Sequence, residues 1–240
     1  MPTRRQAVRI LSAAAAGAGL GGPAAPADAA GGARVPAALP PCVVVPQQTE
    51  GPYFVDTRLK RADIREDPST GIVKPGLPLT LAINVTKIEG VQCSPLTGAM
   101  VDVWQCDAAG EYSDVSDRRL GFDTRGRKFL RGYQETDANG RVLFTTIYPG
   151  WYPGRTVHVH FKIRTGTGNR AGEFTSQWYF DDAVTDQVLT AGPYAAKGPR
   201  STRNDRDGIY RRGGRDLMLN LTPAAAGYAA TFDIGLRLSA

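Results

Sequence analysis

From residue 78 onward the chain gathers β-branched and aromatic residues, or alternates apolar with polar ones, in short runs: 79–88, 100–105, 142–147, 156–164, 175–180 and 228–238. Side chains two apart on a strand share a face, so this period predicts strands rather than helices. Turn residues separate the runs, at 95–98, at 137–140, and at Pro149-Gly150 followed by Pro153-Gly154. Asn139-Gly140 is the kind of pair that closes a hairpin. Past residue 30 no stretch carries a long amphipathic helix, and no internal repeat is visible. The expectation is an all-β fold: an antiparallel β-sandwich core of about 200 residues, with long loops and little helix. Glycine (28) and proline (17) are both abundant, which suits turns and short strands.

The first 48 residues break this pattern. Arg4-Arg5 is followed by an apolar, alanine-rich run over 10–20, and Ala27-Asp28-Ala29 offers a small-x-small cleavage site. That order predicts a twin-arginine-type export signal over residues 1–29, hence a periplasmic or extracellular protein. The apolar run falls short of the ~20 residues a membrane span needs, so no membrane anchor is expected. Residues 30–48, rich in Ala, Pro and Gly, read as an extended arm, and residues 49–240 as the folded domain.

The formal charge is +6, and removal of 1–29 takes away three arginines and one aspartate, leaving +4. That is too weak to argue for nucleic acid. Basic residues concentrate in 197–215, interleaved with Asp205 and Asp207, and read as a solvated loop rather than an anion-binding patch. There are three cysteines, Cys42, Cys93 and Cys106. Export permits a disulfide, and the odd count leaves one thiol unpaired within the chain. A predicted strand carries Cys106 away from Cys93, which favours Cys42–Cys93 without settling it.

Candidate chemistry begins at Val157-His158-Val159-His160-Phe161. On a strand His158 and His160 share one face, roughly 7 Å apart at Cα, while the apolar residues pack on the other. Two imidazoles so placed can converge on one metal ion. The chain has only these two histidines, so a three-histidine zinc site is impossible, and a cupin site lacks its further histidine. Position 162 is lysine, which removes the carboxylate of an iron(II) facial triad. Asp, Glu, Cys and Tyr stay open as further ligands. Tyr112 and Tyr152 stand out by context, each in a loop next to a predicted strand; core packing with a satisfied hydroxyl is the alternative for each.

Six segments, in order, carry a resemblance. Thr49-Glu-Gly51-Pro52-Tyr53-Phe, the run 101–113 ending in Gly110-Glu-Tyr112-Ser, Asp137-Ala-Asn-Gly-Arg, Thr146-Ile-Tyr-Pro-Gly-Trp-Tyr152, Arg155-Thr-Val-His158-Val-His160-Phe and Gln177-Trp-Tyr-Phe resemble the intradiol ring-cleavage dioxygenases. Within that family the chain looks nearest the protocatechuate 3,4-dioxygenase side and its exported relatives. The resemblance implies one iron(III) per chain, held by Tyr112, Tyr152, His158 and His160. It implies a catechol and O2 as the small-molecule partners, with a cis,cis-muconate as product. By the same resemblance Tyr152 gives way to substrate and Tyr112 stays, Arg155 steadies negative charge on the substrate, and Gln177 lines the site. Thr49, Gly51, Pro52 and Tyr53 would border the substrate pocket. Only five residues, 153–157, lie between Tyr152 and His158. That is shorter than in cytoplasmic members and is expected to open the pocket mouth. The N-terminal helical segment of the catechol 1,2-dioxygenases has no counterpart, so any homo-oligomer would use another surface.

Overall fold

The structure, a computed structural model, describes residues 42–166 and 172–237. The predicted export signal, residues 30–41 of the predicted arm, and position 238 of the last predicted strand lie outside them. Among the described residues there are thirteen strands: β1 (Glu66–Asp67), β2 (Ile72–Val73), β3 (Pro78–Glu89), β4 (Gln92–Pro95), β5 (Met100–Trp104), β6 (Ser116–Asp117), β7 (Phe122–Asp123), β8 (Arg131–Glu135), β9 (Arg141–Ile147), β10 (His158–Thr165), β11 (Gly172–Tyr179), β12 (Thr222–Ala224) and β13 (Gly227–Leu236). The α-helix α1 (Asp182–Leu189) follows β11.

The strands form two main sheets. One has the order β11-β10-β5-β8 and is antiparallel throughout. In the other, β3 has β13 on one side and shares the other side between β9 and β4. Period-two alternation aims Leu79, Leu81, Ile83 and Val85 of β3 and Val159, Phe161 and Ile163 of β10 into one shared core. Phe161 lies 4.1 Å from Trp178 and both rings meet Phe232 of the facing sheet, at 6.0 and 5.5 Å. The six predicted strands correspond to β3, β5, β9, β10, β11 and β13.

Two expectations need correction. The fold is not wholly antiparallel, because β13 runs parallel to β3 along nine residue pairs. A parallel pair needs a long connection, and here nearly the whole domain lies between the two strands. Asn139-Gly140 closes no hairpin either. It joins β8 to β9, which belong to different sheets, so the turn carries the chain from one layer to the other.

Cys42 is bonded to Cys93 with Cα atoms 5.7 Å apart, and Cys106 is a buried free thiol. The bond ties residues 42–48 to the second sheet. This stretch has no regular secondary structure, yet Val45 is buried, the Val43 carbonyl accepts from Gly235 N–H (2.6 Å), and Gln48 N–H donates to the Thr175 carbonyl (3.0 Å).

The outer face of the β11-β10-β5-β8 sheet is covered as well, so β10 is buried at every position from His158 to Ile163. The cover is the segment 49–64. Its Lys60 bridges to Tyr133 at the β8 edge, and Ile64 N–H reaches the Thr145 carbonyl of β9 (3.0 Å). Ion pairs hold it across the sheet: Glu50 to Lys162, Asp56 to Arg164 (3.1 Å) and Lys60 to Glu135 (2.7 Å). The Phe54 ring packs edge-on to Trp104 at 4.9 Å, with the Lys162 ammonium 4.4 Å from its centre. An enclosed polar compartment therefore lies between this sheet and its strap, on the side away from the core.

Candidate functional site

One cross-strand row organises the compartment. Gln177 of β11, His160 of β10, Trp104 of β5 and Arg131 of β8 are successive register partners, so they stand side by side on the outer face. Trp104 lies flat against the His160 ring, centroids 4.9 Å apart and planes within 8°. His158, two residues from His160, shares that face. Its Nε2 lies 3.0 Å from His160 Nε2. A carbonyl can only accept, so His158 Nδ1 donates to the Thr156 carbonyl at 2.6 Å, which leaves Nε2 with its lone pair toward the compartment.

The two predicted tyrosines come in from loops. Tyr112 Oη lies 3.3 Å and Tyr152 Oη 3.2 Å from His158 Nε2. Two phenols and two imidazoles thus converge on one point. Tyr112 is wholly buried, and its surroundings are pinned. Thr124 Oγ1 donates to its carbonyl (2.5 Å), and Arg131 Nε donates to the carbonyl and hydroxyl of the next residue, Ser113 (3.0 and 2.8 Å). Tyr152 follows the pinned Gly150-Trp151 pair, with Gly150 N–H on the Asp107 carbonyl (3.1 Å) and Trp151 Nε1 on the Gly198 carbonyl (3.1 Å), and leads by a short run into β10.

Both loops leave from tied strand ends. Gln105, just past β5, donates from Nε2 to the Ile147 carbonyl at the end of β9 (2.8 Å) and accepts from Thr146 (3.0 Å). The loops then press backbone to backbone. Gly150 N–H donates to the Asp107 carbonyl at 3.1 Å, and a Cβ on Gly150 would stand 2.4 Å from the Ala108 carbonyl oxygen. A Cβ on Gly110 would meet the Trp151 carbonyl oxygen at 2.2 Å. Gly150→Ala is therefore expected to lose about 1–3 kcal/mol of stability through this overpacking. Urea unfolding checks it; an unchanged midpoint would mean that the two loops are not interlocked as described.

The strap supplies the remaining wall. Tyr53 stacks on Tyr112 (4.5 Å, 25°) and donates to Asp117 (2.5 Å). Gly51 has φ +72°, and a Cβ there would touch His160 Cε1 at 3.5 Å. Thr49 is exposed, and its carbonyl accepts from Gln177 Nε2 (2.8 Å). Pro52 is exposed.

Arg155 enters between the tyrosines and the histidines. Its Nη1 lies 3.3 Å from His158 Nε2, its Nη2 donates to Gln177 Oε1, and its Nε donates to Asp207 Oδ2 at 2.8 Å. Asp207 is missing from the sequence-based set of site residues, and the reading of 197–215 as a solvated loop holds for most of its basic residues but not for Asp207 and Arg200. Asp207 is 1% exposed, and Arg200, with its side chain 3% exposed, is locked between Asp182 (2.5 Å) and Asp186 (2.8 Å). Most of the loop's charges, among them Arg206, Arg211, Arg212 and Arg215, are exposed as expected; the correction concerns Asp207 and Arg200, whose side chains are buried and pair with partners outside the loop. Trp104 and Arg131 were also missed, although their places on the site face follow once strand register is known.

Electrostatically the compartment rejects charge on all four converging groups. Burial, then the neighbouring Tyr152, pushes the Tyr112 phenol well above its usual range. Burial also raises Tyr152, to about 12, against the lowering effect of Arg155. It pulls both imidazoles well below theirs, with Arg155 adding to the effect. A bound cation would reverse the balance for the phenols and use the neutral imidazole nitrogens as they stand. Among the described residues no group of three or more His, Cys, Asp and Glu is placed to hold a metal. A metal held here therefore needs the phenolic oxygens.

Residues 49–205 match the family described as Dioxygenase. The chain is 32% identical over 183 residues to the protocatechuate 3,4-dioxygenase beta chain of Burkholderia cepacia, covering 71% of each. Among solved structures it is similar to an intradiol ring-cleavage dioxygenase from Tetranychus urticae, with 30% identity, a TM-score of 0.70, and 82% of this chain and 95% of that one covered. It is also similar to the dioxygenase domain of a dioxygenase–carbohydrate-binding protein fusion from a cellulolytic Streptomyces, with 30% identity, a TM-score of 0.56, and 82% and 99% covered.

Proposed function

The chain belongs to the intradiol dioxygenase family, and on that footing we propose that it cleaves a catechol between its two hydroxyl-bearing carbons, using one iron(III) held by Tyr112, Tyr152, His158 and His160. The observation that carries this is the meeting of two phenolic oxygens and two imidazole nitrogens around His158 Nε2, within 3.0–3.3 Å. Iron(III) suits phenolate and imidazole donors, would keep both tyrosines ionised, and as a Lewis acid would draw electron density from a bound catecholate.

The chain's own residues do the rest. The His158 Nδ1 bond to Thr156 fixes the tautomer that leaves Nε2 as the donor. Trp104 holds the His160 ring plane. By the family resemblance Tyr152 would be the phenol that yields its place to substrate and Tyr112, whose carbonyl and next residue are held by Thr124 and Arg131, the one that stays. The charge of Arg155, held between Asp207 and Gln177, faces the region where a catechol becomes anionic. The strap keeps water from the site, and Tyr53 and Gly51 form its inner wall. Both atoms of O2 enter the product, a ring-opened cis,cis-muconate, so no external reductant is consumed.

The substrate is of the catechol or protocatechuate type. The protein is exported, in keeping with its twin-arginine-type start and with a Cys42–Cys93 disulfide suited to an oxidising compartment. Oxygen uptake across a panel of catechols, with a visible spectrum of the iron-loaded protein, tests the reading. A red-brown protein that consumes O2 with at least one catechol is expected. A colourless protein inert to all of them would refute it.

A further inference from the structure

One carboxylate joins the basic loop to the site. Asp207 Oδ2 accepts from Arg155 Nε (2.8 Å) and from Thr156 N–H (2.9 Å). Its Oδ1 accepts from Ile209 N–H (2.7 Å) and Tyr210 N–H (3.2 Å). The group is 1% exposed, so a buried charge is fully engaged by four donors. Beside it, Thr156 Oγ1 donates to Asn204 Oδ1 (2.6 Å), and Asn204 Nδ2 donates to the Phe180 carbonyl (2.8 Å).

Arginine is a long, flexible side chain, and only a fixed guanidinium is preorganised. Here two anchors fix it, Asp207 at Nε and Gln177 at Nη2, and the third corner, Nη1, is left toward the converging donors. The same carboxylate holds the Thr156 amide, and the Thr156 carbonyl in turn orients His158. Resting on the ring-cleavage reading above, we propose that Asp207 is a positioning residue for the reaction, which aims the Arg155 guanidinium at the substrate.

The test combines kinetics with a measurement on the iron-free protein. Asp207→Asn is expected to lower kcat about 10- to 100-fold, a usual cost for outer-shell partners, with KM and bound iron little changed. Asp207→Glu, which restores the charge, should recover part of that loss. Arg155→Met and the double variant Arg155→Met/Asp207→Asn should have the same kcat within about twofold, because Asp207 acts through Arg155. In the iron-free protein the Arg155 Nε–H NMR signal should be protected from exchange, and Asp207→Asn should remove the protection. Should Asp207→Asn not fold, the parent protein still tests the contact, since its Arg155 Nε–H must be protected. Multiplying losses in the double variant, an undiminished kcat or unchanged protection in Asp207→Asn, or an unprotected Arg155 Nε–H in the parent protein would overturn the inference alone. A wild-type protein inert to every catechol would overturn the ring-cleavage reading and this inference with it.

Discussion

Tyr112→Phe is expected to lose at least about 1,000-fold in turnover and to bind less iron than the parent, while staying folded. A Lewis-acid centre supplies several kcal/mol of charge stabilisation, and each ~1.4 kcal/mol is tenfold in rate. Removing one anionic donor takes away part of that and leaves the ion under-neutralised in a buried compartment. Little of the fold depends on the hydroxyl. Among the described residues it meets only the other members of the site, His158 Nε2 at 3.3 Å and the Tyr152 hydroxyl, and the ring remains stacked on Tyr53. Tyr148→Phe is the matching control. Tyr148 is equally buried, and its hydroxyl contacts Thr185 at 2.7 Å within the main hydrophobic core, not among the converging donors. It should cost about 1 kcal/mol of stability and leave turnover unchanged. Metal analysis, the visible band and oxygen uptake on the three proteins decide the matter. Equal iron content and near-parental turnover in Tyr112→Phe would remove that residue from the site.

The histidine pair was legible because the pattern that signals a strand also fixes which side chains share a face. Val157, Val159 and Phe161 had to point inward, so His158 and His160 had to point together. The tyrosines were less legible. They sit in loops whose approach depends on two glycines letting backbones touch, and spacing does not encode that contact; the resemblance supplied them. Strand β8 was missed because Arg131-Gly-Tyr-Gln-Glu135 has no apolar alternation. Its inward position is Gly132, where a Cβ would lie 2.8 Å from Ile64 Cγ2, so the strap's isoleucine fills the space a strand residue normally takes. Helix α1 spans only eight residues and is marked chiefly by its cap, Asp181, which accepts from the Ala183 and Val184 amides. Asp207 lay beyond reach, since its partner stands 52 positions away and a loop of mixed charge reads as hydrated.

Arg155→Met separates the binding of iron from the chemistry done on it. Arg155 donates no negative charge and is not among the four converging donors, so the variant should retain its iron and its colour. What it loses is a fixed positive charge beside a substrate that becomes anionic. Burial works against that charge, but Tyr152 and Asp207 outweigh it and the net shift is upward, so Arg155 stays protonated across the neutral range. Removing one preorganised group of this kind costs about 100- to 1,000-fold in kcat. The loss should fall on kcat more than on KM, because the interaction strengthens as charge develops on the ring. Steady-state kinetics with a catechol, beside metal analysis of the same sample, measures both. A variant that turns over normally but binds catechol weakly would make Arg155 a simple docking group. One that arrives without iron would mean that the arginine supports the metal site itself, through its contact with His158.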